Sequence, residues 1–354
     1  MELVDILVEV LDLGASDLHL AVGMPPAVRV NGKLEPLDYP RLMPNDTREL
    51  IYSILTQDQR QRLETDWEID FSYSVPARAR FRVNAFFQRN SLGAAFRLIP
   101  VNILTVEDLG LPKALHQFAQ KPRGFILITG PTGSGKSTTL AALIDEINET
   151  REEHIMTIED PIEFLHHHKK CIVNQREVGT DTKSFNRALK SVLRQDPDVI
   201  LVGEMRDLET IQTALTAAET GHLVFATLHT QDAPQTIDRM IDVFPPHQQE
   251  QIRVQIAATI QGIVTQQLLP RRDGRGRCVA VEVLVPTPAV RNLVREGKTH
   301  QIYTVMQTGT KFGMQTMDTS LVDLVRRGFI SRELAERRSS NPEDINRLLM
   351  TGAA

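Results

Sequence analysis

Cysteine and tryptophan are nearly missing from this sequence, which has two cysteines, Cys171 and Cys278, and one tryptophan in 354 residues. Two cysteines so far apart supply neither a CxxC redox pair nor a four-cysteine zinc site, and they fit a reducing compartment. Aromatic residues make up only 5% of the chain, and no stretch interleaves them with basic residues as a single-strand stacking platform would. Positive charge is not in excess either. The formal net charge is -5, which argues against duplex DNA as the main partner, because neutralising phosphates leaves a binding domain basic. No nucleic acid is therefore expected. There is no apolar run of about eighteen residues or more, so no membrane-spanning helix is expected. The opening residues carry Glu2, Asp5, Glu9 and Asp12 in place of a basic leader, with Leu3, Ile6, Leu7 and Val10 at helical spacing.

What remains is the composition of an ordinary soluble globular protein, 41% hydrophobic and 24% charged, with a length that suggests about two domains. The joint falls in IPVNILTVEDLGLP, residues 99–112, where proline, asparagine and glycine interrupt a strand pattern. Residues 1–99 read as a mixed α+β domain, 100–112 as a linker and 113–354 as an α/β domain. Ahead of the joint, strands are expected at 17–21 and 27–31, the latter ended by the hairpin signal Asn31-Gly32. A helix is expected over 46–63, then strands at 68–75, 80–88 and 92–99. Beyond the joint, short unalternating apolar runs at 125–129, 154–158, 199–202 and 222–227 alternate with helical patterns at 136–149, 183–194 and 207–219. That is the signature of a parallel sheet covered on both faces. From about residue 233 the pattern turns mainly helical, broken by the basic loop LLPRRDGRGR.

The strongest chemical signal is GPTGSGKS, residues 130–137, which satisfies G-x-x-x-x-G-K-[ST] directly after an apolar strand and at the opening of a helix. Gly130, Gly133 and Gly135 let the backbone wrap a phosphate, and Thr132, Ser134 and Thr138 complete the loop. Lys136 would reach the β- and γ-phosphates of ATP, and Ser137 would coordinate magnesium (Mg2+). Ligands of such sheets bind outside the carboxyl ends of the strands. There the next strands deliver Glu159, Asp160 and Glu163, then Glu204, then His229. Glu204 stands where Asp usually follows the strand and would hold the metal through a bridging water. Glu163 is placed to accept a proton from the attacking water, with Glu159 and Asp160 orienting water or metal; spacing alone does not choose among the three acids. His166, His167 and His168 follow, and because consecutive residues point different ways at most two share a metal.

In RFRVNAFFQRNSLGAAFRLIP, a hairpin centred between Arg89 and Asn90 would set Arg82 directly opposite Arg97, off the apolar face. Like charges across a sheet repel. A shared anion would relieve the conflict, and a γ-phosphate is a suitable one.

Taken together, the sequence resembles the secretion ATPases of type II and type IV pilus systems, over essentially its whole length. GPTGSGKS looks like their Walker A, TIEDPIEF (157–164) their Asp box, VILVGEMRD (199–207) their atypical Walker B and GHLVFATLHT (221–230) their His box. PAVRNLVRE (288–296) is similar to the retraction-motor signature AIRNLIRE, with valine at two isoleucine positions. The resemblance implies a PAS-like N-terminal domain, a RecA-like P-loop domain with a helical C-terminal region, and a homohexamer at the cytoplasmic face of the inner membrane. It also implies an inner-membrane platform protein as partner and, indirectly, the pilin machinery. By the same resemblance Glu163 is the general base, Glu204 the magnesium-linked acid, His229 a γ-phosphate sensor, and Arg82 and Arg97 arginine fingers. His222 matches the other His-box histidine, and Arg194 and Arg206 flank the Walker B strand. Extension motors of the family carry a four-cysteine segment that is missing here, which favours retraction. The alternatives are a related secretion or assembly ATPase, a nucleic-acid translocase on the same engine, and a non-hydrolysing scaffold.

Overall fold

The computed structural model describes residues 2–351 apart from Asn31, Ala77 and Val101; the turn residue Asn31 and the joint residue Val101 thus lie outside the described residues. The chain divides into two compact units, residues 1–102 with 163–165, and residues 103–162 with 166–354.

The first unit opens with α1 (Leu3–Asp12), followed by β1 (Asp17–Leu20), β2 (Ala27–Val30), β3 (Lys33–Pro36), α2 (Pro44–Tyr52), α3 (Gln57–Asp66), β4 (Glu68–Val75), β5 (Ala79–Gln88) and β6 (Ser91–Ile99). Its sheet runs β3-β2-β1-β6-β5-β4, antiparallel throughout. Alternation puts Phe81, Val83 and Ala85 with Leu92, Ala94 and Phe96 on one face, where they pack with Leu3, Ile6 and Val10 of α1 and with Leu50 and Ile51 of α2. The expected single helix over 46–63 is two helices. The second begins at Thr56, whose hydroxyl accepts the N–H of Gln59 while Gln59 Oε1 accepts the N–H of Thr56, a reciprocal cap that starts a new helix.

The second unit contains α4 (Ala114–Ala119), β7 (Gly124–Thr129), α5 (Lys136–Thr150), β8 (His154–Glu159), β9 (Ile172–Glu177), α6 (Phe185–Val192), β10 (Val199–Val202), α7 (Leu208–Glu219), β11 (Leu223–Leu228), α8 (Ala233–Asp242), α9 (Pro246–Thr259), β12 (Ile260–Pro270), β13 (Arg277–Leu284), α10 (Pro288–Arg295), α11 (Ile302–Thr308), α12 (Met317–Arg326), α13 (Arg332–Arg338) and α14 (Pro342–Thr351). The sheet order is β13-β12-β7-β11-β10-β8-β9, with β13 alone antiparallel to its neighbour. Every residue of β7, β10 and β11 is buried. Their side chains alternate between two cores, with Phe125, Leu127, Ile200, Val202, Val224 and Ala226 on one face and Ile126, Ile128, Val199, Leu201, Leu223 and Phe225 on the other. The stretch expected to be mainly helical also supplies two strands, β12 and β13, which extend the sheet. Gly262 lets β12 pass against Phe118, whose ring a Cβ there would meet at 2.4 Å.

Candidate active site

Four adjacent parallel strands, β7, β11, β10 and β8, present their carboxyl ends side by side. The first of these ends carries the phosphate loop, the second His229, the third Glu204, and the fourth Glu159 and Asp160. The helices that follow β9, β10 and β11 begin with side-chain caps, from Ser184, Asp207 and Asp232. The helix after β7 does not. Its N-cap is Gly135 in the left-handed region at φ 93°, with no side-chain cap, so the first N–H groups of α5 are left for an anion.

The rest of the loop fits that use. Gly130 has φ 135°, and a Cβ on it would stand 2.4 Å from the Gln266 carbonyl oxygen and 2.7 Å from Ser134 Oγ. Ser134 is buried with its hydroxyl unpartnered. Lys136 Nζ donates to the carbonyls of Gly130 (2.8 Å) and Pro131 (3.1 Å), which keeps the ammonium over the loop. Ser137 and Thr138 are half-buried at the start of α5, and Thr132 and Gly133 are exposed. Beneath the loop, Thr129 and Thr265 share a hydroxyl contact of 2.8 Å, and Gln266 Nε2 donates to Thr139 at 2.8 Å. An anion therefore has a flexible-backbone cradle, an uncapped helix and an ammonium at one strand end.

Glu204 is brought together with two other residues singled out by the sequence. Arg206 grips it through Nε and Nη2, each at 2.7 Å, and His229 Nε2 lies 3.0 Å from Oε1. The hydrogen bond from Arg206 is the main cause that holds the Glu204 carboxyl below its ordinary range, against the opposing effect of burial. Arg194, by contrast, stands on the chain leading into β10, and His222 precedes β11, where its Nδ1 meets the Ala217 carbonyl at 2.9 Å.

In the Asp box, Glu159 Oε1 accepts the Thr157 hydroxyl at 2.6 Å and Gln175 Nε2 at 3.1 Å. Glu163, four residues beyond β8, is exposed. The three histidines are turned to three separate tasks. The His166 N–H donates to Gln175 Oε1 (2.8 Å), the His167 carbonyl accepts from Asn148 (2.7 Å), and His168 Nδ1 accepts from the Val173 N–H (3.0 Å). Burial pushes His166 down to about 4, which keeps it neutral. Among the described residues no group of three His, Cys, Asp or Glu side chains could hold a metal.

In the first unit, Arg82 and Arg97 are direct cross-strand partners, and Arg89 and Asn90 form the turn at φ 50° and 60°. The charge conflict inferred from the sequence is met from within the chain. Asp17 on β1 pairs in register with Arg97 and with Arg29; its Oδ1 accepts Arg97 Nε at 2.9 Å, and Oδ2 lies 3.9 Å from Arg29 Nε. Asp17 lies 80 positions away from Arg97 in sequence, so no local pattern points to it. Glu177 and Gln266, both buried, are likewise beyond the reach of sequence reading.

On PAVRNLVRE, Val290 and Val294 of α10 are fully buried, and Arg291 donates to the carbonyls of Ala257 and Ala258 at the end of α9. Asn292, Arg295 and Glu296 face solvent.

Residues 3–337 match the family described as Type II/IV secretion system protein. The chain is 52% identical over 344 residues to the type IV pilus retraction ATPase PilT of Pseudomonas aeruginosa, covering 97% of this chain and 100% of that protein. It is 51% identical over 321 residues to a twitching motility protein of Neisseria gonorrhoeae, covering 91% of this chain and 86% of that one. It also superposes on the crystal structure of the pilus retraction motor PilT with bound ADP at a TM-score of 0.91 and 52% identity, covering 98% and 99% of the two chains.

Proposed function

The chain belongs to the Type II/IV secretion system protein family, and from that premise we propose that it is an ATP-hydrolysing motor that powers retraction of type IV pili. One observation carries the reading: the likeness to retraction ATPases spans nearly the whole length of both chains, so it includes both units and not the nucleotide-binding core alone. The first unit, an antiparallel sheet backed by α1 and α2, is a PAS-like module, and the second, with its central parallel sheet and phosphate loop, is RecA-like. Gly130, Thr132, Gly133, Ser134, Gly135, Lys136, Ser137 and Thr138 hold the nucleotide.

Ser137 and, through water, Glu204 would hold magnesium, which would supply positive charge against the triphosphate. His229 acts beside Glu204 as the sensor of the terminal phosphate. Glu163 takes the proton of the attacking water; the bonds already made by Glu159 Oε1 support that assignment, because they leave Glu159 less free to act as a base. Arg82 and Arg97 supply cations to the leaving charge. The assembly is a homohexamer, peripheral at the inner membrane, working on a platform protein that handles pilin. No helix among the described residues is long and apolar enough to cross a membrane.

Phosphate release by the purified full-length protein tests the chemistry. Lys136→Ala and Glu163→Gln should each abolish turnover, and Arg97→Ala should abolish turnover while nucleotide binding persists. Sustained turnover by the Glu163→Gln protein would remove the base assignment. In cells, loss of the protein should leave many pili and no twitching; loss of pili would instead point to an assembly motor.

A further inference from the structure

Glu177 is only 3% exposed and ends β9, directly across from Glu159 at the end of β8. Its two carboxylate oxygens serve two loops. Oε2 accepts the backbone N–H of Ile162 at 3.1 Å, and Oε1 accepts the hydroxyl of Thr180 at 3.1 Å. The turn beyond β9 is closed onto the Glu177 backbone. Its carbonyl accepts the N–H groups of Asp181 (2.8 Å) and Thr182 (3.2 Å), and its own N–H donates to Asp181 Oδ2 at 2.8 Å. A side chain anchored at its root from several directions thus reaches across to the chain that has just left β8.

The backbone N–H it holds belongs to Ile162, the residue before Glu163. Ile162 is 2% exposed, so its N–H has no bulk water to turn to and depends on the acceptor that Glu177 supplies. A general base works only within hydrogen-bond reach of the proton it takes, and a displacement on the order of 1 Å can cost about a hundred-fold in rate. We propose that Glu177 is a positioning residue for the hydrolytic step, fixing the Ile162 peptide so that Glu163 leaves the loop at one defined place. The proposal rests on the reading of Glu163 as the base. Glu177 acts through the Ile162 N–H, by setting how the chain after β8 is aimed.

The reach of the side chain matters more than its acidity. Glutamine has the same length and keeps a carbonyl oxygen for the Ile162 N–H, while the Thr180 hydroxyl can turn to accept from the amide. Aspartate is one methylene shorter and loses the contact. In the full-length protein, kcat and KM for ATP should be measured beside the dissociation constant of a fluorescent ADP analogue. Glu177→Ala and Glu177→Asp should lose about a hundred-fold in kcat with KM and ADP binding within about three-fold of the parent. Glu177→Gln should keep most of the rate. Parental kcat in both the alanine and aspartate variants would overturn the proposal, as would a glutamine variant as slow as they are. Should the alanine variant fail to fold, the aspartate and glutamine proteins still decide between reach and acidity. Parental turnover by Glu163→Gln alone would overturn it differently, by removing the base itself, and that result is read from a separate protein.

Discussion

Asp17 shows how one side chain can set the electrostatics of a whole row. Across the first sheet, Arg29, Asp17, Arg97, Arg82 and Ser72 stand in register on five successive strands, β2, β1, β6, β5 and β4. Three cations and one anion share that row. Burial by itself would push the Asp17 carboxyl up, but hydrogen bonds from Ser16 and Arg97 and the charge of Arg97 outweigh it and hold the group below the usual carboxylate range. A lowered carboxyl stabilises the fold above its unfolded value, and that contribution is lost as pH falls through the lowered one. Asp17→Asn should therefore lower the stability of the full-length protein near neutral pH by about 1 kcal/mol, read from thermal melts. The loss should shrink in high salt, where the repulsion among the three arginines is screened. An equal loss at low and high salt would refute the charge argument. The facing of Arg82 and Arg97 was legible in the sequence because a tight turn fixes the register of two consecutive strands. Asp17 was not, because most of the unit's sequence lies between β1 and β6, and no local pattern sets the register of strands so far apart.

At the scale of elements, the central strands could be read directly, since β7, β10 and β11 are runs of apolar residues covered on both faces. The strands β12 and β13 could not. Gln261, Gln266 and Gln267 interrupt the apolar pattern of β12, and Gln266 is buried with its amide nitrogen donating to Thr139. In β13 the same exception is Glu282, which is 2% exposed. Its carboxylate accepts the N–H of Ala233 at 2.8 Å and of Met317 at 3.4 Å, the first residues of α8 and α12, so one strand side chain serves two helix starts. Burial pushes its carboxyl from 4.5 up to about 7, and the charges of Asp232 and Asp318 add to this, while the two backbone donors oppose it. Between those two values the unfolded chain gives up the proton and the folded chain keeps it. Stability should then fall as pH rises through that window and level off above it, by at most about 3 kcal/mol. Glu282→Gln should flatten this part of the pH dependence, being close to the parent at about pH 5, below the raised value, and more stable at about pH 8, above it. Urea melts at the two pH values decide it; an unchanged slope in the variant would assign the pH dependence to other groups.

For the whole molecule, the arginines lie in one compact unit and the phosphate loop in the other. That separation bears on why a motor should assemble. If the cations that complete a site come from a neighbouring chain, hydrolysis depends on a neighbour being present, and each event is tied to the position of the next subunit. Motif spacing fixes the parts of the site but carries no information on which chain supplies them, because the covalent order is the same either way. A mixing experiment separates the two. On the proposed assignment, Arg97→Ala loses the finger but keeps its phosphate loop, and Lys136→Ala loses the loop lysine but keeps its finger, so each alone should be inactive. In oligomers assembled at random from equal amounts of both, about one interface in four joins an intact loop to an intact finger. Supply from a neighbour therefore predicts recovery of up to about a quarter of the parental phosphate-release rate. Supply from the same chain predicts none, because every chain carries one defect. Two affinity tags purified in series ensure that the oligomers contain both variants. If such doubly tagged oligomers stay inactive, the arginines do not act across the subunit boundary.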